Sequence, residues 1–216
     1  IPYDGKLTKA DGKGTWWEGL DPQELYAQNH EPSKYTDFSQ WWAWGGGASV
    51  PPSAYSEKFY NRTIDLINKF NPDLIYFDDN SLPLYPVSDA GLKIAAHYYN
   101  HNMATHKGKL EGVLFGKVLT DEQKKCMVWD VERGAPDKLQ NLPWQTCTCI
   151  GDWHYSKPTY NNNGYKSAAT VIHMLVDIVS KNGNLLLNIP VRADGTIDEK
   201  EVAILEGIAA WMDINK

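Results

Sequence analysis

Two carboxylates stand where this chain could do chemistry. Asp78 follows directly on the apolar run Leu74-Ile75-Tyr76-Phe77, and Glu132 closes the segment Cys126-Met127-Val128-Trp129-Asp130-Val131-Glu132. In α/β architectures the working groups sit just past the carboxyl ends of strands. One acid as nucleophile and a second as proton donor is what a retaining glycosidase requires, with the two carboxyl groups about 5–5.5 Å apart. Strand-end acids also cap helices and pair with Lys or Arg, so position alone leaves both readings open. Asp79 is the neighbouring alternative to Asp78, but on an extended chain its side chain points to the opposite face.

Other groupings suggest other chemistry. His97 and His101 are spaced i, i+4 on an expected helix and, with Asp78 and Asp79, outline a metal-dependent hydrolase; the Glu of an H-E-x-x-H site is missing. Cys126, Cys147 and Cys149 make an odd count and no disulfide framework. Cys147 and Cys149 are two apart in a strand-like stretch and read as buried thiols on one face. Nine tryptophans and twelve tyrosines supply flat faces that stack on sugar C–H groups, or else fill a core.

The elements that must hold these residues are legible from periodicity. Residues 1–53 carry GGG, PP and WWAW motifs and read as an irregular segment packed on the same domain as the rest. Residues 55–70 then place Tyr60, Thr63, Ile64 and Ile67 on one helical face, and Asn71-Pro72 stops the helix. Strands are expected at 73–77, 110–117, 126–131, 146–150 and 185–189. Helices are expected at 88–105, opened by Ser88, at 165–181, and from Asp198 through Met212. Asn182-Gly183 ends the second of these, with the glycine as its left-handed cap. Alternating helices and short apolar strands indicate an α/β fold with parallel strands. A closed eight-stranded barrel takes about 250 residues, so residues 54–216 read as part of one.

Bulk properties narrow the partners. A net charge of −6 and a pI near 5.5 argue against nucleic acid or an anionic membrane surface and fit a neutral substrate. No apolar run approaches the roughly 20 residues that span a bilayer. The start at Ile1 fits a removed leader on a secreted or periplasmic protein, or a start inside a longer gene.

The stretch from Tyr60 through Asn71-Pro72-Asp73-Leu74-Ile75-Tyr76-Phe77-Asp78-Asp79 resembles the helix, strand and nucleophile of family 29 glycoside hydrolases, the α-L-fucosidases. Residues 180–190 (SKNGNLLLNIP) and 192–197 (RADGTI) are similar to that family's final barrel strand and turn. The resemblance covers roughly residues 55–213. It implies a partial or compact (β/α)8-type barrel that hydrolyses terminal α-L-fucosides by double displacement, without cofactor or metal. Asp78 matches the nucleophile, and Tyr76 stands where an aromatic lies near the sugar. Asp79 occupies a position where a small residue is usual. The acid/base position varies in the family; where some members have Trp-Glu this chain has Trp144-Gln145, which points to Glu132 upstream, with Glu111 and Glu122 behind it. Ile150–Tyr155 is similar to the family's Ser-Trp-Gly-Tyr segment, which implies that Trp153 stacks on the sugar, with His154 in a glycine's place. Lys117 falls near a sugar-binding arginine, and Trp129 completes the expected substrate contacts.

The implied partner is a fucosylated glycan or a small-molecule fucoside. The family's early strands have no clear counterpart, although Trp16, Trp17, Glu18 and His30 are candidates for their sugar contacts. A partial barrel leaves strand edges open, so the expectation is a homo-oligomer whose subunits complete the fold. The alternative function is a barrel remnant that binds fucosylated glycans without cleaving them.

Overall fold

A computed structural model of the chain describes residues 8–21, 50–78 and 81–215. These fall into two compact units, residues 8–21 and 50–73 with 82–112, and residues 74–78 and 81 with 113–215.

In the first unit, α1 (Ser53–Phe70) and α2 (Ala90–Thr105) pack together. Asn71 takes the left-handed conformation (φ 45°) ahead of Pro72, as a helix stop requires. The Tyr98 hydroxyl donates to the Pro72 carbonyl at 3.1 Å. The Asn102 side-chain oxygen accepts from the backbone N–H of Glu111 and Gly112 at 2.8 Å each. Ser88 lies before the cap rather than at it: Asp89 is the N-cap residue, while Ser88 Oγ accepts from the Ala90 N–H. Residues 9–12 form a 3₁₀ turn, Trp16 is exposed, and Glu18 accepts from the Gly14 N–H. His30, the 41–44 tryptophan cluster and Asp79 lie outside the described residues.

The second unit carries the sheet. Its strands are β1 (Leu74–Tyr76), β2 (Val113–Gly116), β3 (Val128–Glu132), β4 (Trp144–Cys149) and β5 (Gly183–Asn188). All neighbours pair parallel in the order β1-β2-β3-β4-β5, giving a curled half-barrel. The helices of this unit are α3 (Lys157–Asn161), α4 (Ala168–Ser180) and α5 (Glu199–Asn215). Strict alternation of strand and helix fails twice. The β2–β3 crossing carries only a 3₁₀ turn at Gln123–Lys125, and the β3–β4 crossing carries no helix. Both loops are long enough for a parallel crossover, which needs about a dozen residues but no particular structure in them.

Register decides which side chains share a face. Tyr76 pairs with Phe115, and Phe115 with Val128; Asp130 pairs with Gln145, and Glu132 with Cys147. Paired residues of a sheet point the same way and successive ones alternate. Tyr76, Asp130, Glu132, Gln145 and Cys147 therefore face the inside of the curl, and Trp129, Trp144 and Thr146 face the outside. Trp144 is fully buried there and donates from its indole N–H to the Lys181 carbonyl at 2.9 Å. The left-handed residue after α4 is Asn182 (φ 66°), not Gly183. Gly183 is needed for another reason: a Cβ on it would sit 2.5 Å from the Trp144 ring. At the start of α5, Asp198 Oδ1 accepts from the N–H groups of Lys200 and Glu201 at 2.9 Å, and Oδ2 accepts from the Tyr165 hydroxyl at 2.6 Å.

Candidate active site

The site forms where β1, β2 and β3 end side by side. Tyr76 and Phe115 are level across β1 and β2, so Asp78 and Lys117, each two residues further on, leave the sheet together. Lys117 Nζ lies 2.5 Å from Asp78 Oδ1 and 3.0 Å from Glu132 Oε2; by the triangle inequality those two oxygens are no more than 5.5 Å apart. Two acids separated by more than fifty residues of sequence thus share one cation. The lysine side chain is 15% exposed, whereas Asp78 and Glu132 are largely open to solvent. Burial works against the ammonium charge, but its hydrogen bonds to Asp78 and Glu132 outweigh that and hold the Lys117 pKa above its ordinary value.

These groups line one cavity of about 660 Å³, together with Tyr76, Cys147, Trp153, His154 and the β5 residues Leu186 and Asn188. That volume suits a small ligand. The loop after β4 presents Trp153. It is tied down by Lys166, whose Nζ donates to the Cys149 carbonyl at 2.6 Å, and by Asn188, whose amide donates to the backbone oxygens of Asp152 and Trp153. The Arg133 guanidinium lies over the Trp153 ring at 4.9 Å, a cation–π contact that covers part of the indole.

Behind the cavity wall is a buried polar network. Asp130 Oδ2 accepts from the Tyr76 hydroxyl at 3.0 Å and from the Cys147 thiol at 3.1 Å, and Oδ1 accepts from the Gln145 amide at 2.8 Å. Burial, then the bonds to Cys147 and Asp130, raise the Tyr76 pKa. Burial also pushes the Cys147 thiol up to about 11.

Of the residues singled out in the sequence, Asp78, Glu132, Tyr76, Lys117, Trp153 and His154 line this cavity. Trp129 does not. One residue along β3 from Asp130, it faces outward, 6.5 Å from the Trp144 ring, under Lys124 and in a separate cleft of about 270 Å³. Glu122 pairs with Lys125, and Glu111 lies near His106. The Nε2 atoms of His97 and His101 hydrogen-bond the side chains of Asn68 and Asn71. Among the described residues no three His, Cys, Asp or Glu side chains gather as a metal ion would need. Asp130 was overlooked as a site residue. Its signal was its place two residues before Glu132, which puts both on the same face of a strand.

Comparison with known proteins bears on the family and the fold. The family model described as alpha-L-fucosidase matches residues 16–216. The alpha-L-fucosidase of Dictyostelium discoideum is 37% identical over 81 residues, covering 37% of this chain and 17% of that protein. The Thermotoga maritima alpha-fucosidase structure superposes with a TM-score of 0.59 at 25% identity, over 85% of this chain and 38% of that one. The Bacteroides thetaiotaomicron alpha-L-fucosidase, solved as a trapped covalent intermediate, superposes with a TM-score of 0.56 at 20% identity, over 74% of this chain and 40% of that one. The chain spans about two fifths of the length of these solved relatives. With residues 16–216 of its 216 matched by the family model, this chain belongs to the α-L-fucosidases of glycoside hydrolase family 29.

Proposed function

We propose that the chain carries the catalytic pair of a retaining α-L-fucosidase, with Asp78 as nucleophile and Glu132 as acid/base, acting on a terminal α-L-fucoside of a glycan or a small aglycone. The observation that carries this reading is the shared Lys117, which bounds the Asp78 Oδ1 to Glu132 Oε2 separation at 5.5 Å. Retaining enzymes space their carboxyl groups about 5–5.5 Å apart and inverting ones about 6.5–9.5 Å.

Asp78 attacks the anomeric carbon as the bond to the leaving oxygen breaks, and Glu132 gives that oxygen its proton. The product is a fucosyl ester on Asp78 and a free aglycone. Glu132, now ionised, takes a proton from water; the water oxygen bonds to the anomeric carbon, and the ester bond breaks to regenerate Asp78. Two inversions leave the configuration unchanged. Trp153 offers a face for the apolar side of the sugar, Tyr76 and His154 flank the ring, and Lys117 serves a hydroxyl while it balances the two acids. The covalent intermediate trapped in the Bacteroides thetaiotaomicron enzyme is what such a route passes through.

The test is hydrolysis of an aryl α-L-fucoside followed by proton NMR. The expected first product is α-L-fucose, and Asp78→Asn abolishes turnover. A first product of β configuration overturns the retaining assignment. Fucose binding without hydrolysis by the unmodified chain overturns the enzymatic one in favour of a binding remnant.

A further inference from the structure

The Asp130 network behind the cavity wall gives the Tyr76 hydroxyl a direction. A phenol in water donates and accepts with equal ease, but it has a single proton. Here Asp130 is 2% exposed, and its three partners (Tyr76, Cys147 and Gln145) all donate to it. The Tyr76 proton is committed to Asp130 Oδ2 at 3.0 Å; the Cys147 sulfur, at 3.6 Å, is the weaker alternative. Tyr76 and Cys147 line the cavity, whereas Asp130 and Gln145 do not. To a ligand that reaches it, the phenol oxygen therefore offers lone pairs and no hydrogen.

We propose that Asp130 is a positioning residue: by accepting the hydrogen bond of the Tyr76 hydroxyl it leaves the phenol oxygen an acceptor for one sugar hydroxyl, and so selects ligands that present a donor there. This rests on the fucosidase reading of the cavity and adds a specificity element to it. Sites built to hydrogen-bond a substrate hydroxyl reject analogues that lack it, because a polar group is left unpaired. An acceptor fixed in this way discriminates further, since fluorine in place of the hydroxyl can accept but cannot donate.

The experiment measures by calorimetry the affinity of L-fucose and of its monodeoxy and monodeoxyfluoro forms for the unmodified protein, Tyr76→Phe, Asp130→Asn and the double variant. At one ring position both analogues bind the unmodified protein about fivefold more weakly than fucose and equally so, the size of one neutral hydrogen bond. In Tyr76→Phe that loss shrinks to less than about twofold, and adding Asp130→Asn changes affinity by no more than that. In Asp130→Asn, whose amide can donate to Tyr76, the fluoro analogue recovers relative to the deoxy one. A fluoro analogue that binds the unmodified protein as well as fucose at the Tyr76-sensitive position overturns the proposal, as does the absence of any such position. Independent, multiplying effects of the two substitutions overturn the role of Asp130 alone. If Asp130→Asn fails to melt cooperatively, the first two proteins still decide the direction of the bond. Failure of fucose to bind the unmodified protein overturns the fucosidase reading itself, a result distinct from normal binding without coupling.

Discussion

Lys117 holds Asp78 at 2.5 Å and Glu132 at 3.0 Å, so one side chain keeps the two carboxyl groups close together. Hydrogen bonds to charged groups are each worth about 1.5–3 kcal/mol. Lys117→Met is accordingly expected to lower kcat/KM on an aryl fucoside by about 10–100-fold while the thermal midpoint changes little; steady-state kinetics beside a melting curve checks this. Glu132→Gln has a different signature. General acid catalysis contributes about 10²–10⁴-fold, and that loss should appear in kcat/KM with a poor leaving group and nearly vanish from kcat/KM with an activated one such as a dinitrophenyl fucoside. With the activated substrate kcat still falls, because Glu132 is also the base of the second step. A loss in kcat/KM independent of leaving group would remove Glu132 as the acid. At this scale the sequence was informative about residue types and weak about direction. Asp78 and Glu132 are recognisable because each ends an apolar run, and strand alternation sets Trp129, three residues before Glu132, on the opposite face. Which side chains of neighbouring strands meet on each face depends on the register.

Among the elements, the ends of β2 and β3 turn sharply: Val118, just past Lys117, has φ 51°, and Arg133, just past Glu132, has φ 52°. A β-branched residue with positive φ is strained, at a cost of order 1–3 kcal/mol. Val118 is exposed, so Val118→Gly should remove strain without losing packing. The expected gain is about 1 kcal/mol after glycine's entropic penalty, read as a rise of a few degrees in Tm. Gly183→Ala should do the opposite. Its methyl would meet a buried Trp144 ring that is also hydrogen-bonded to Lys181, and overpacking of this kind costs about 1–3 kcal/mol. The start of α5 carries a pH dependence. Burial and then the charge of Asp198 push Glu201 up to about 7 from 4.5. Between those values the folded protein holds a proton that the unfolded chain has released, so stability falls as pH rises from about 4.5 to 7, by up to about 3 kcal/mol. Urea titrations at pH 5 and pH 8 should show Glu201→Gln with a flatter profile and greater stability at pH 8; identical pH slopes would exclude this role. The capping acid Asp198 was legible from its spacing to Glu201, whereas the burial of Glu201 was not.

For the whole molecule, β1 and β5 are the edges of the five-stranded sheet among the described residues, and Leu186 of β5 remains substantially exposed. Open edges and apolar interior positions favour pairing with another chain. The prediction carried from the sequence is that copies of this chain associate, giving at least twice the 24.4 kDa chain mass in light scattering; a single-chain mass at working concentration overturns it. What the sequence determined by itself is local. Apolar runs of strand length, helical periodicity, the Asn71-Pro72 stop and the SKNGNLLLNIP stretch were enough for a parallel α/β fold and its family, because each signal lies within a few residues of chain. Only the tertiary structure decided that Lys117 joins Asp78 to Glu132 and that Asp130 accepts the hydrogen bond of the Tyr76 hydroxyl. These facts depend on how three strands align. A shift of one residue in that alignment would exchange the two faces of a strand while leaving every local propensity unchanged.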